Sequence, residues 1–401
     1  MRIAILNQPL GNRGDEAAHK ALMRSLLKAL PQHTFSVIFL NVQSEQIDTF
    51  KVQGVEYINI IGPSKGVMKS ILASYALGCS KIALIHPLLH RFRSEISSYD
   101  AVICAPGGIC MGGFFNWKHI WELDMALSCG KQVYYWGRSI GPFYEDTYLR
   151  RLFKRNSSRL LKRFVYVSLR DRVSCQIASE LKITPDEIVD SAFLETPKAS
   201  IPKDIKGKIG DDYVVFVPNS LTWHYRYKDI PQEKIDRFNL KIISLIAEKF
   251  PESHIVMLPQ TYKSKINDYG YFCHLRNKFS SPEKLIVIDE NRNSDVQQGI
   301  IRGAKLVIGE RYHSVVFAIN NEIPYVSLSY EHKMTGLLKT LGQTHQMILI
   351  DDIFENARGQ EIAIQNIVRL LQEPLERPSC TTAKQIVQKG FKTMCLKLSE
   401  F

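Results

Sequence analysis

The sequence predicts an α/β protein built from two Rossmann-like domains that face a cleft. Three observations lead there. Short apolar runs recur at 2–7, 101–105, 213–217 and 306–308, with the length of buried parallel strands. Asn, Pro or Gly stands at the end of each, and a stretch of helical periodicity follows. The alternation restarts after a Pro-, Lys- and Gly-rich stretch at 196–212, and 401 residues exceed what one core serves. The expected organisation is a first domain over 1–195, a linker over 196–212, a second domain over 213–375 and a C-terminal helix or tail over 376–401.

In the first half, strand 2–7 runs into Gly11-Asn12-Arg13-Gly14-Asp15-Glu16 and a helix over 17–30. A glycine-rich turn between strand and helix brings backbone N–H groups to a ligand, and Asp15 is either a ligand-facing acid or the helix cap. Strands are expected at 35–41 and 55–61, then one long helix over 65–93. Strand 101–105 leads to Gly107, Gly108 and the pair Gly112-Gly113, read as a loop where backbone approaches a ligand. After a helix over 119–128, strand 132–136 ends in a second glycine turn that carries Arg138. The segment 149–164 holds seven Lys and Arg residues with Leu152, Phe153, Leu160 and Leu161 on one face. It is a packed helix with a solvated basic side, or a contact for an anionic membrane surface. Strand 164–168 then meets Arg170-Asp171, which opens a helix.

The second half repeats the scheme. Strand 213–217 ends at Asn219, strand 255–258 at Gln260, and strand 306–308 at Gly309-Glu310-Arg311-Tyr312-His313. Three ionisable groups in four positions thus sit where a strand turns into a helix. The helix start offers free N–H groups and a positive dipole end, so Arg311 and His313 there form a candidate phosphate or carboxylate site. The plainer alternative pairs Arg311 with an acid and leaves His313 as a helix-start residue.

Composition narrows the function. Hydrophobic residues are 45% and charged residues 23%, the balance of a soluble globular protein. No stretch reaches the ~18 apolar residues of a membrane span, and the opening apolar run is too short for a signal peptide, so a cytoplasmic protein is expected. The eight Cys show neither a CxxC pair nor metal spacing, which implies reduced thiols and no metal. The net charge of +12 fits anionic substrates or the inner face of a membrane; no basic–aromatic platform speaks for nucleic acid. Nothing in the sequence states an oligomeric state.

GNRGDEA at 11–17, GGxxxGG at 107–113, GRSIGP at 137–142, VSLRD at 167–171, DxAF at 190–193, GERYHS at 309–314 and YEHK at 330–333 together resemble the polysaccharide pyruvyl transferase family. The resemblance covers roughly residues 1–342 and implies a GT-B-like fold. It implies transfer of pyruvate from phosphoenolpyruvate onto two hydroxyls of a sugar, in a cell-surface polysaccharide or its lipid-linked precursor. A cyclic ketal forms and phosphate leaves. Domain 1–195 would be the acceptor side and 213–375 the phosphoenolpyruvate side, with no obligatory cofactor. Arg170, Glu310, Arg311, His313 and Lys333 would bind the donor. His313, Arg311 and Asp15 would carry the chemistry. Gly11, Asn12, Gly14, Gly107, Gly108, Arg138, Asn219 and Gln260 would line the acceptor side or cleft. The family's glycine triplet is Pro106-Gly107-Gly108 here, and Arg138 stands where Gln is more usual. A nucleotide-sugar glycosyltransferase of the same architecture is the alternative. Many retaining ones carry Glu-x7-Glu, whereas Ala318 follows Glu310 at that spacing. A non-catalytic polysaccharide-assembly protein is the second alternative.

Overall fold

The protein is described from a computed structural model that covers residues 1–400 apart from Tyr225, Ser264, Lys265, Glu290, Asp352, Glu355, Asn356 and Leu375. The expected domain edge at 375 falls outside the described residues. The chain divides into two compact units. Unit 1 comprises Met1–Leu10, Ala18–Leu194 and Lys384–Phe401; unit 2 comprises Gly11–Ala17 and Glu195–Ala383.

Among its described residues, unit 1 carries an eight-stranded parallel sheet. Its strands are β1 (Arg2–Leu6), β2 (Thr34–Leu40), β3 (Glu56–Ile60), β4 (Ala101–Cys104), β5 (Gly107–Gly112), β6 (Gln132–Gly141), β7 (Tyr166–Leu169) and β8 (Asp186–Glu187). The order is β3-β2-β1-β4-β6-β7-β8. β6 is long enough to pair first with β4 and then with β5 along the same edge. Beyond Arg2, β1 and β4 are apolar and buried, as expected where helices cover both faces of a parallel sheet. Trp121, Tyr135 and Phe153 are among the largest side chains buried in this core.

Unit 2 adds β9 (Tyr213–Val217), β10 (His254–Met257), an antiparallel pair β11 (Tyr262–Lys263) and β12 (Ile266–Asn267), then β13 (Leu285–Val287), β14 (Val307–Gly309), β15 (Tyr325–Ser329) and β16 (Met347–Leu349). Its main sheet, six-stranded among the described residues, is parallel in the order β13-β10-β9-β14-β15-β16. In chain order that is 3-2-1-4-5-6, the doubly wound arrangement. The direction of winding reverses between β9 and β14. Ligands of open α/β sheets bind outside the carboxyl ends of such a strand pair.

Several sequence expectations change. The 65–93 stretch is not one helix. Gly78, at φ +74°, and Pro87 break it into helix Val67–Ala76, the 3-10 turn Ser80–Ile85 and helix Pro87–Ser97. Both glycine-rich loops of unit 1 are strand. Gly112 and Gly141 pair in register, and a Cβ on Gly112 would lie 2.4 Å from Gly141 backbone atoms. These glycines let β5 and β6 close on each other. The 196–212 stretch is packed rather than loose. It contains helix Lys203–Ile209, and Arg302 donates to the Pro197 carbonyl at 2.6 Å. The expected C-terminal helix or tail is a helix, Thr381–Ser399, most of which belongs to unit 1. There Tyr134 and Tyr166 donate their hydroxyls to the carbonyls of Lys397 and Gly390.

The tight strand pairing gives a test. Gly112→Ala puts a methyl into the Gly141 backbone at a φ of +135°. The expected loss is about 1–3 kcal/mol in urea unfolding. A loss within error would show that β5 and β6 can part without cost.

Candidate active site

The residues singled out by sequence fall into two groups. Gly107, Gly108, Arg138 and Arg170 lie in unit 1; Gly11, Asn12, Gly14, Asp15, Asn219, Gln260, Glu310, Arg311, His313 and Lys333 lie in unit 2. The GNRGDEA motif, expected on the acceptor domain, therefore clusters with the strand ends that carry Arg311 and His313.

In unit 1 the two arginines are committed. Arg138 is fully buried at the winding reversal between β1 and β4. Its Nε donates to the Ala105 carbonyl at 2.7 Å, its Nη2 to the Asn7 carbonyl and its Nη1 to the Gly108 carbonyl at 3.3 Å. A planar fork with five donors suits this tie between strand ends. Arg138 thus stitches the crevice where a ligand-facing role was expected. Gly107 is buried too, since a Cβ there would meet Pro9 at 2.6 Å, while Gly108 has open space. Arg170 pairs with buried Asp190 at 2.8 Å. Its Nε donates to Ser139, which in turn donates to Asp171 at 2.6 Å. Asp171 caps the helix Arg172–Glu180. The VSLRD and DxAF motifs serve one buried network.

In unit 2 the strand ends converge. β14 ends at Gly309, Glu310 and Arg311 follow, and helix Tyr312–Asn320 begins with His313 in its first turn. Glu310 is fully buried. Its Oε2 accepts the Asn219 N–H, beyond the end of β9, at 2.6 Å, while Oε1 finds no partner among the described residues. The Arg311 Nη2 pairs with Asp268, and its guanidinium lies over the Trp223 ring at 5.4 Å; its buried Nε has no partner among the described residues. Asp268 also accepts the Gln260 and Thr261 N–H groups on its other oxygen, each at 2.9 Å. The pairing of Arg311 with an acid is therefore realised, and the acid is one the sequence did not single out. Lys333 follows β15 and sits 3.6 Å from Glu331. Tyr330, buried at the end of β15, presents its ring to Trp223.

The Gly11–Ala17 segment completes the group. Helix Arg13–Ala29 begins within the motif, so the expected turn is largely a first helical turn. Asn12, not Asp15, caps it by accepting the Gly14 N–H at 2.7 Å. The Gln260 carbonyl accepts the Arg13 N–H, and the Gly11 carbonyl accepts the Tyr262 N–H. Gly14 is obligatory for a different reason than conformation: a Cβ there would overlap the His313 ring at 1.8 Å. Asp15, half-buried, is the next residue. Buried Arg13 and Glu16 pair at 2.6 Å, and Glu16 accepts both the N–H and hydroxyl of Ser294. That pair was readable as an i,i+3 couple at a helix start. Asp268 and Trp223 had no such local signal.

Burial pushes the Glu310 carboxyl up to about 8, against the Asn219 N–H and Arg311, which pull it down. The folded chain keeps a proton that the unfolded chain releases above its ordinary 4.5. This contribution to stability is complete below about pH 4.5 and is lost as pH rises through about 8. Glu310→Gln cannot ionise and should flatten the decline of Tm over that window. An unchanged slope would show that Glu310 is already ionised in the fold. Asp268→Asn leaves the Arg311 charge buried without its counter-ion, and should cost about 3–5 kcal/mol in denaturant unfolding. A loss below about 1 kcal/mol would mean that water reaches Arg311.

With the geometry in place, comparison with known proteins adds the lineage. The UDP-GlcNAc 2-epimerase of Methanocaldococcus jannaschii, solved with UDP-GlcNAc and UDP, has a TM-score of 0.55 at 14% identity, over 98% of this chain and 100% of that one. The UDP-GlcNAc 2-epimerase of Neisseria meningitidis bound to UDP-GlcNAc has a TM-score of 0.56 at 14% identity, with 98% and 100% covered. These likenesses establish a GT-B-like fold of two parallel-sheet α/β units. The amylovoran biosynthesis protein AmsJ of Erwinia amylovora is 23% identical over 416 aligned positions, 96% of each chain. Residues 12–332, which span both the Gly14–His313 contact and the buried Arg170–Asp190 pair, match the polysaccharide pyruvyl transferase family, and the chain belongs to that family.

Proposed function

We propose that this protein transfers pyruvate from phosphoenolpyruvate onto two hydroxyls of a sugar, in a cell-surface polysaccharide or its lipid-linked precursor. A cyclic ketal forms and phosphate is released. The observation that carries the reading is the convergence of Glu310, Arg311 and His313 at the winding reversal of unit 2, in a chain of this family. The donor is a phosphate and a carboxylate on a three-carbon frame. Arg311 has one edge committed to Asp268 and a buried Nε left to donate. A Glu310 that holds its proton adds a neutral donor beside it and does not repel an anion. The first turn of helix Tyr312–Asn320 and Lys333 supply further positive potential. Arg170 would have to leave Asp190 to join them, so the donor set rests on unit 2.

The reaction needs a proton delivered to the methylene carbon, attack of one sugar hydroxyl on the central carbon, departure of phosphate, and closure by the second hydroxyl. His313 delivers the first proton and receives one from the attacking hydroxyl. Asp15, one residue past the glycine that seats His313, takes the proton of the second hydroxyl. The sum is one phosphoenolpyruvate and one diol giving one ketal and one phosphate, so no redox partner is required.

Incubation with phosphoenolpyruvate and a panel of sugar acceptors should release phosphate in step with a pyruvyl mass gain on one of them. Stabilisation by a UDP-sugar, and none by phosphoenolpyruvate, would move the assignment to a glycosyltransferase. His313→Gln should retain donor affinity and lose turnover by about 10²–10⁴. Gly14→Ala keeps the imidazole but displaces it, so turnover should fall comparably. A His313→Gln enzyme with normal kcat and a raised donor KM would make His313 a phosphate ligand only.

A further inference from the structure

Unit 1 carries a second chemical feature that involves none of the candidate site residues. Between β3 and β4 the chain makes a 40-residue excursion, 61–100, and its first 34 residues, 61–94, hold no Asp or Glu. Its apolar side chains are not all inside. Ile61 is 66% exposed, Leu77 69% and Ile85 84%, with Met68 at 45%. Lone exposed hydrophobics need no explanation, but here they share one short excursion. Arg91 donates to the Ile61 carbonyl at 3.0 Å, and the Lys65 carbonyl lies 3.1 Å from His86 Nε2. The 61–66 loop is thereby held beside the turn that displays Ile85.

Cations lie in the same stretch. Lys65, Lys69, Lys81 and Arg91 are exposed, and none has a carboxylate partner among the described residues. The basic helix Tyr148–Leu161 differs. There Asp146 pairs with Arg150 at 2.6 Å, Glu145 with Lys154 and Asp124 with Arg159. The excursion is anchored firmly from below. Ile71, Tyr75, Leu88 and Phe92 are buried, Tyr75 packs on Trp117, and Trp121 Nε1 donates to the Ser80 carbonyl. The outward side chains therefore sit on a rigid base.

From this we infer that the 61–91 face of unit 1 docks on an anionic lipid bilayer, with Ile61, Leu77 and Ile85 entering the interface and the lysines meeting lipid phosphates. An aqueous polyanion would use the cations alone. A neutral apolar partner would gain nothing from a stretch swept of acids. An anionic bilayer, with an apolar layer beneath its phosphates, satisfies both. Each cation contributes about fivefold to partitioning and the effect is screened by salt.

The test is co-sedimentation of the full chain with vesicles of phosphatidylcholine containing about 30% phosphatidylglycerol, a bilayer on which such polybasic faces bind. Binding should exceed that to pure phosphatidylcholine by at least about tenfold and fall steeply in high salt. Lys65→Gln/Lys69→Gln/Lys81→Gln and Ile61→Ser/Leu77→Ser/Ile85→Ser should each lose about tenfold or more, with Tm unchanged because the substituted groups are exposed. Three results overturn the proposal. One is no preference for the anionic vesicles. Another is full binding by the serine variant, which marks a general polyanion surface. The third is binding that depends on Arg151 and Arg155 but not on 61–85.

Discussion

The candidate site of unit 2 depends on one carboxylate, that of Asp268. One oxygen holds the Arg311 guanidinium and the other holds two successive backbone amides beyond β10. Removing a charged pair from water is expensive, and it is tolerated only when every remaining lone pair is engaged. Both Asp268 oxygens are engaged, so Arg311 can stay charged while 7% exposed. The amide ties fix Gln260, whose carbonyl in turn receives the Arg13 N–H. Through that link the seating of Gly14 against His313 follows from the same carboxylate.

The two winding reversals share a strand order and differ in what fills them. Both sheets begin 3-2-1-4, and both therefore open a crevice at the carboxyl ends of their first and fourth strands. In unit 1 that crevice is laced by Arg138 to three carbonyls. In unit 2 it is lined by Glu310, Arg311 and Asn219, each of which keeps a buried polar atom without a partner among the described residues. A satisfied arginine rigidifies, whereas an unsatisfied acid and guanidinium store unused hydrogen-bonding capacity. Geometry that looks equivalent at the level of strand order thus serves cohesion in one half and leaves open hydrogen-bonding groups in the other.

Much of the fold was legible because buried parallel strands write themselves as apolar runs closed by a breaker. Leu306 to Gly309 and the charged turn after it read correctly for that reason. The glycine motifs misled. Gly112 and Gly141 are spaced like a ligand loop, yet their small size serves contact between neighbouring strands. Sequence spacing cannot separate those uses, since each demands the same missing side chain. Asp268 gave no signal because its partner Arg311 is 43 residues away, and Asp190, legible as the start of the DxAF motif, gave no sign of its pairing with Arg170 20 residues away. Long-range ion pairs leave no periodic trace. The break at Gly78 and Pro87 was written in the sequence but was outweighed by a helical density of apolar residues.

The path of the chain has a consequence for biogenesis. Unit 1 draws on three separate segments, and its sheet receives helix residues from beyond Lys384 only after all of unit 2 has been made. Tyr134 and Tyr166 hold their hydroxyls for carbonyls of that segment. Domains generally fold in the order in which the ribosome releases them. Here the order inverts. The second unit can close while the first still lacks part of its covering, so a nascent chain passes through a stage in which part of a sheet face around Tyr134, Trp136 and Tyr166 waits on distant sequence. Selection on this protein then acts on its synthesis as well as on its chemistry, and chaperone dependence should track the 384–399 segment rather than the larger sheet it covers.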